Sequence, residues 1–143
     1  MSGQVVTGIL PKELWIEKRI NNLEEVIKNL VTNGMDENSD YIKNLKEELA
    51  ILDIQYKSAT RIGTFDMDML KQGTLLKLAK WDGYWMYDKE KDTIMIHCKD
   101  GQIVDIRETE DLEFTINNIL ARTWEIATPR NCKVLRKEQK LCK

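Results

Sequence analysis

Very little in this chain could act as a covalent or metal staple. Its three cysteines, Cys98, Cys132 and Cys142, are an odd number without a close pair. That excludes a disulfide framework and a zinc knuckle, and it implies reduced thiols. The single histidine, His97, stands beside Cys98, but adjacent residues of a strand point to opposite faces and make a poor chelate. No metal ligand set is predicted. Two prolines and seven glycines in 143 residues are the usage of a globular protein, not a disordered one. Neither sign of charge dominates: 22 basic and 24 acidic side chains leave a net charge of −2, so no field draws the protein to polynucleotides or anionic lipid. Strong nucleic-acid binding is not expected. No apolar run approaches the roughly 20 residues of a membrane span, and the opening MSGQVVTGIL lacks the basic start and long apolar core of a signal peptide. A cytoplasmic protein without a membrane partner is the expectation.

Catalytic machinery is equally sparse. His97 has no evident orienting residue, no Gly-rich loop precedes a Lys-Ser or Lys-Thr pair, and no serine sits in a nucleophile elbow. Asp88, Glu90, Asp92 and Asp100 stand among lysines in predicted turns, which reads as a solvated rim rather than a hydrolase pair. A protein with no enzymatic activity and no cofactor is expected.

What remains is sufficient for a folded domain: 42% hydrophobic and 32% charged residues. From Pro11, Ile16, Ile20, Leu23, Ile27 and Leu30 recur at intervals of four and three, one apolar stripe along a helix. Gly34 is placed to end it in the left-handed conformation, and MDENSD supplies turn chemistry. After Ser39, a candidate N-cap, Ile42, Leu45, Leu49, Leu52 and Tyr56 repeat the pattern. Two such helices on a short loop predict an antiparallel hairpin that packs on the rest of the chain or on a second copy, with Trp15 beside its stripe. A short helix capped by Gly73 follows, with Thr64 or Asp66 near its start. Strands are then predicted at Leu75 to Leu78, Trp81 to Tyr87, Thr93 to His97, Gln102 to Arg107 and Thr123 to Ala127, with Asp82-Gly83 and Asp100-Gly101 as turns. Thr115 is taken as the cap of a last helical turn through Asn118 and Leu120.

The expected class is therefore α+β: an N-terminal antiparallel helical hairpin plus a small antiparallel β-sheet domain with short helices. The expected divisions are residues 1–62 as the hairpin arm, 63–131 as the sheet domain and 132–143 as a basic C-terminal tail. Lys133, Arg136, Lys137, Lys140 and Lys143 bias that tail, which reads as solvated or as an anion-binding edge.

Three of the four tryptophans fall in the C-terminal half, in Trp81-Asp82-Gly83-Tyr84-Trp85 and at Trp124. Such rings line a groove for a planar guest or fill a core. The order of motifs around them, Leu70-Lys71-Gln72-Gly73, then Trp81-Asp82-Gly83, then Asn118-Ile119-Leu120-Ala121-Arg122-Thr123-Trp124, resembles the phage-encoded Thoeris anti-defence sponge family, a domain family shared with a type II anti-CRISPR protein. The resemblance covers residues 65–126 and excludes the hairpin. Gly73 and Trp81 keep the family's spacing, and Leu120, Ala121 and Trp124 fall on its terminal motif. Leu78, Asp82, Asn118 and Thr123 depart from it: a basic residue, an asparagine and two acids are usual there.

The resemblance implies a homo-oligomeric, non-enzymatic binder of a cyclic nucleotide signal, of cyclic ADP-ribose type or a cyclic dinucleotide. On that reading Trp81, Trp85 and Trp124 stack on a base or wall the pocket. Thr115, Asn118 and Thr123 hydrogen-bond it, Lys77 and Lys80 meet a pyrophosphate, and Gly83 lets the backbone approach beside Asp82. The hairpin and the departures leave two alternatives: an inhibitor that binds a host defence protein such as a type II CRISPR nuclease, and a structural or assembly protein.

Overall fold

Two helices come first, and local sequence accounts for both. The computed structural model describes residues 11–141, with side chains from 15 to 138. The readings made on residues 1–10, on Cys142 and Lys143, and on the Lys140 side chain lie outside the described residues. Helix α1, Pro11–Thr32, buries Ile16, Ile20 and Leu23 against Leu52 and Tyr56 of α2, Asp40–Thr60. It ends where Gly34 turns to φ 101°. There the amides of Gly34 and Met35 donate to the carbonyls of Val31 and Leu30, each at 3.0 Å, a glycine-terminated end that satisfies carbonyls the helix leaves open. The Ser39 hydroxyl accepts from the Ile42 amide at 3.4 Å to start α2.

The chain divides into two compact units at Thr60–Arg61: the hairpin, and everything described from there on. The sequence places the arm's end at residue 62, yet Arg61–Gly63 is a strand, β1. Only its partner at the far end of the chain defines it, so three residues carry no local signal.

The second unit is a six-stranded antiparallel sheet in the order β1-β6-β2-β3-β4-β5. Its other strands are β2 (Leu76–Leu78), β3 (Tyr84–Asp88), β4 (Thr93–His97), β5 (Ile103–Asp105) and β6 (Trp124–Ile126). The last strand thus lies between the first two, with Leu78 opposite Trp124 and Lys77 opposite Glu125. Strand alternation places Leu76, Leu78, Trp85, Ile94, Trp124 and Ile126 in one core with Leu70 of α3, Met67–Lys71. Asp66 caps α3 by accepting from the Met69 amide at 3.0 Å. Helix α4, Leu112–Leu120, adds Ile119 to the margin of the same core.

The opposite face carries Tyr84, Ala127 and Cys132 with Val134 and Leu135 of α5, Lys133–Leu141. The predicted solvated tail is therefore corrected to a packed helix. Val134 and Leu135 are buried while Lys133, Arg136 and Lys137 are exposed, and a nine-residue amphipathic segment is too short for its few apolar positions to stand out among so many cations. The Val134 amide and the Cys132 thiol both donate to the Asp82 carbonyl, at 3.0 and 3.1 Å, which anchors α5 to the loop before β3. No described helix is long and apolar enough to cross a membrane.

Candidate functional site

A cavity of about 670 Å3 opens between α4 and the sheet. Trp85, Ile96 and Val104 from neighbouring strands form its floor, Phe114, Thr115 and Asn118 of α4 one wall, and Lys80 and Trp81 of the β2–β3 loop another. Polar contacts cap helix α4 at its start and tie its end to the sheet. The Asp111 carboxylate accepts from the Phe114 amide at 2.9 Å, and the Thr115 hydroxyl donates to the Asp111 carbonyl at 3.1 Å. At the other end of the helix, the Trp124 indole N–H donates to the Asn118 carbonyl at 2.9 Å.

The three C-terminal-half indoles converge. Trp81 lies 5.6 Å from Trp85 and 5.4 Å from Trp124, and Trp85 lies 5.0 Å from Trp124, centroid to centroid. Phe65 meets Trp124 edge-on at 5.1 Å. These are tilted and edge-to-face contacts of the kind aromatic quadrupoles favour. Their roles nevertheless differ. Trp124 is fully buried and Trp85 only 2% exposed, so these two form the base of the cluster, whereas half-buried Trp81 is the indole with ring surface to offer.

Lys80, Trp81, Asp82, Gly83, Trp85, Thr115 and Asn118, each expected at a binding site, border this one cavity. Lys77, Thr123 and Trp124 do not. Period two turns Lys77 to the face opposite Leu76 and Leu78. It is 1% exposed there, and its ammonium donates to Glu125 at 2.9 Å and to the Ala79 carbonyl at 3.1 Å. The Thr123 side chain is exposed, and its carbonyl accepts from the Ala79 amide at 2.9 Å. Gly83 is required by the sheet rather than by a guest, because a Cβ there would lie 2.1 Å from the His97 carbonyl oxygen.

Phe114, Lys99, Thr109 and Asp111 at this cavity escaped the sequence reading. Placing the α4 cap at Thr115 rather than Asp111 started the helix a turn late and hid Phe114. Asp111 followed three residues later by an amide it can accept from was the available signal.

The rim mixes charge. Lys80 and Lys99 make no ion pair among the described residues, and Asp82, Glu110 and Asp111 stand near them. The Asn118 carboxamide has no hydrogen-bond partner among the described residues, while the Thr115 hydroxyl is already engaged with Asp111 and with Thr109 at 3.3 Å. Burial pushes the Cys98 thiol up, with Asp100 adding to it, so it is a poor nucleophile at neutral pH. The arrangement suits a planar, partly polar guest held between rings and amide.

On the other face, His97 does have orienting neighbours, contrary to the sequence reading. Its Nδ1 lies 2.8 Å from Glu138, its ring stacks on Tyr84 at 4.4 Å, and the Tyr84 hydroxyl donates to the same carboxylate. Helix α5 supplies Glu138 from 41 residues away. Burial, followed by the Glu138 hydrogen bond, raises the Tyr84 phenol far above its ordinary range. The described residues hold no cluster of three or more metal-ligating side chains. No protein-family model, curated protein or solved structure matches this chain.

Proposed function

We propose that the protein captures a cyclic nucleotide signal in the cavity beside α4 and depletes it by stoichiometric binding, without cleaving it. The observation that supports this reading is the convergence of Trp81, Phe114 and the unpartnered Asn118 carboxamide on one space of about 670 Å3, within the volume range of small-molecule sites. Trp81 and Phe114 offer rings to a base, Asn118 can both donate to and accept from its edge, and Lys80 and Lys99 are the cations within reach of a phosphate. Lys77, Trp85 and Trp124 act as scaffold. A sequestering protein gains from slow release, which a largely apolar, preformed cavity favours.

Calorimetry and thermal shift with cyclic ADP-ribose isomers and cyclic dinucleotides test this. A ligand at a hundred times its Kd stabilises by about 2.7 kcal/mol, and Trp81→Ala is expected to abolish that shift. Absence of heat and of a shift with every one of them overturns the reading.

A second reading is favoured by α4 itself. Leu112, Ile116 and Leu120, one stripe at intervals of four, are 69%, 45% and 70% exposed, which is protein-contact surface. On that reading the sheet unit binds and inhibits a bacterial defence effector. Co-purification with such an effector that is lost in Ile116→Glu, combined with no nucleotide binding, would favour it.

A further inference from the structure

The hairpin carries two stripes, and its own core uses only one. On α1 the second stripe is Trp15, Arg19, Asn22 and Val26; on α2 it is Tyr41, Asn44, Glu48 and Ile51. At 100° per residue each set lies within about 60° of its central charged residue. The Arg19 guanidinium donates to Glu48 at 2.7 Å across the seam, so both stripes lie on the same side of the hairpin. Trp15 is 60% exposed, Tyr41 56%, Ile51 58% and Val26 40%, and Asn22 and Asn44 are exposed as well.

The Arg19–Glu48 pair fixes the register of these antiparallel helices. Val26, seven residues after Arg19, is level with Tyr41, seven before Glu48. Asn22 is level with Asn44, and Trp15 with Ile51. Each layer of this face therefore pairs like with like or opposite with opposite: aromatic with aliphatic, cation with anion, amide with amide, aliphatic with aromatic.

We infer that this face binds a second copy of the chain, forming a four-helix bundle about a two-fold axis parallel to the helices. That axis sets α1 of one copy against α2 of the other. Arg19 then lies over the other copy's Glu48, Trp15 over its Ile51, Asn22 over its Asn44 and Val26 over its Tyr41. Every helix is antiparallel to both neighbours, as in an up-down bundle. A two-fold axis across the helices would instead set α1 against α1 and α2 against α2, where neither stripe offers Arg19 or Glu48 an opposite charge, so the charge pattern favours the first arrangement. A lone two-helix hairpin buries a single seam, and the bundle adds the second.

Mass measurement by light scattering on the full chain tests the inference. Trp15→Glu and Ile51→Glu alter exposed positions outside the hairpin's core, so helical circular dichroism is expected to persist while the assembly's mass falls twofold. Arg19→Glu and Glu48→Arg are each expected to lower the mass alone and to restore it when the two variants are mixed, because each then supplies the charge the other lacks. A wild-type mass of one chain at the highest soluble concentration overturns the proposal. So does an Ile51→Glu variant that keeps the wild-type mass, or a mixture that does not reassemble. Nucleotide binding at the α4 cavity is read separately and is not required for any of these outcomes.

Discussion

On the sheet face under α3 and α4, burial is achieved almost entirely with apolar groups: Leu70, Leu76, Leu78, Trp85, Trp124 and Ile126 pack with no ion pair among them. On the face under α5, the same strands present Lys77, Tyr84 and His97, each buried and each satisfied by a carboxylate, Glu125 for the first and Glu138 for the other two. The apolar face tolerates an open cavity at its margin because the floor is rings and aliphatic chains, and the unpartnered Asn118 carboxamide at its edge is only half-buried. The polar face must instead pair what it buries, since a buried charge without its partner is costly. The difference sets the open cavity on one side of the sheet and the strongest constraints of the fold on the other.

The largest expected effect breaks the apolar face. Trp124→Ala removes a fully buried indole in contact with Trp81, Trp85 and Phe65, and should cost about 3–5 kcal/mol in urea unfolding. The Asn118 carbonyl stays satisfied through the Ala121 amide at 3.2 Å, so the loss is one of packing. Trp81→Ala, half-buried at the cavity, should cost about 1–2 kcal/mol. If the two variants were equally destabilised, the division between buried scaffold ring and half-exposed cavity ring would be lost.

Gly83 lies where β3 meets β4, and both faces depend on it. Gly83→Ala drives a Cβ to 2.1 Å from the His97 carbonyl oxygen, and the strands must separate to admit it. A loss of about 3 kcal/mol is expected, read as a lowered Tm. An unchanged Tm would mean that the β3–β4 end is free to move.

The polar face is sharpened by a double-mutant cycle. Lys77→Met leaves Glu125, whose side chain is 22% exposed, without its cation but with some access to water. The expected cost is about 2 kcal/mol, less than for a wholly buried pair. Lys77→Met with Glu125→Leu should recover most of it, with the non-additivity measuring the coupling. Strict additivity would show the ion pair to be incidental.

These contrasts bear on what was legible beforehand. The hairpin could be read because its signals are local: Ile16, Ile20 and Leu23 repeat at helical intervals, and Gly34 marks the stop. Strands β2 to β5 follow from alternation and from turns such as Asp100-Gly101. By contrast, β1 and the packing of α5 depend on partners roughly 60 and 50 residues away, at Trp124–Glu125 and Asp82, and nothing within either segment names them. At the site, motif order brought Trp81, Thr115 and Asn118 together, since the loop and α4 meet over the sheet. Lys77 was grouped with Lys80 by proximity in sequence, although alternation with Leu76 and Leu78 already pointed it to the opposite face. The burial of Trp124 could not be read from residue type, because indoles serve cores and binding walls alike.

The smallest effect separates a local carboxylate from both faces. Asp105, at the end of β5, accepts from the Arg107 guanidinium at 2.7 Å and from the Thr93 hydroxyl at 2.8 Å. The Arg107 side chain foremost, then its backbone amide, holds the carboxyl below the usual carboxylate range. The native state therefore resists protonating it. The associated stability is fully present above the unfolded value near about pH 4 and is lost as pH falls toward the lower native value. Asp105→Asn should thus have a lower Tm than wild type at neutral pH, and the gap should narrow steadily as the buffer is taken below about pH 4. Arg107 is largely exposed, so solvent screening keeps this gap smaller than that expected for Lys77. A Tm difference that stays constant across the acid range would mean the side chain contributes through the shape of the β4–β5 edge rather than through its charge.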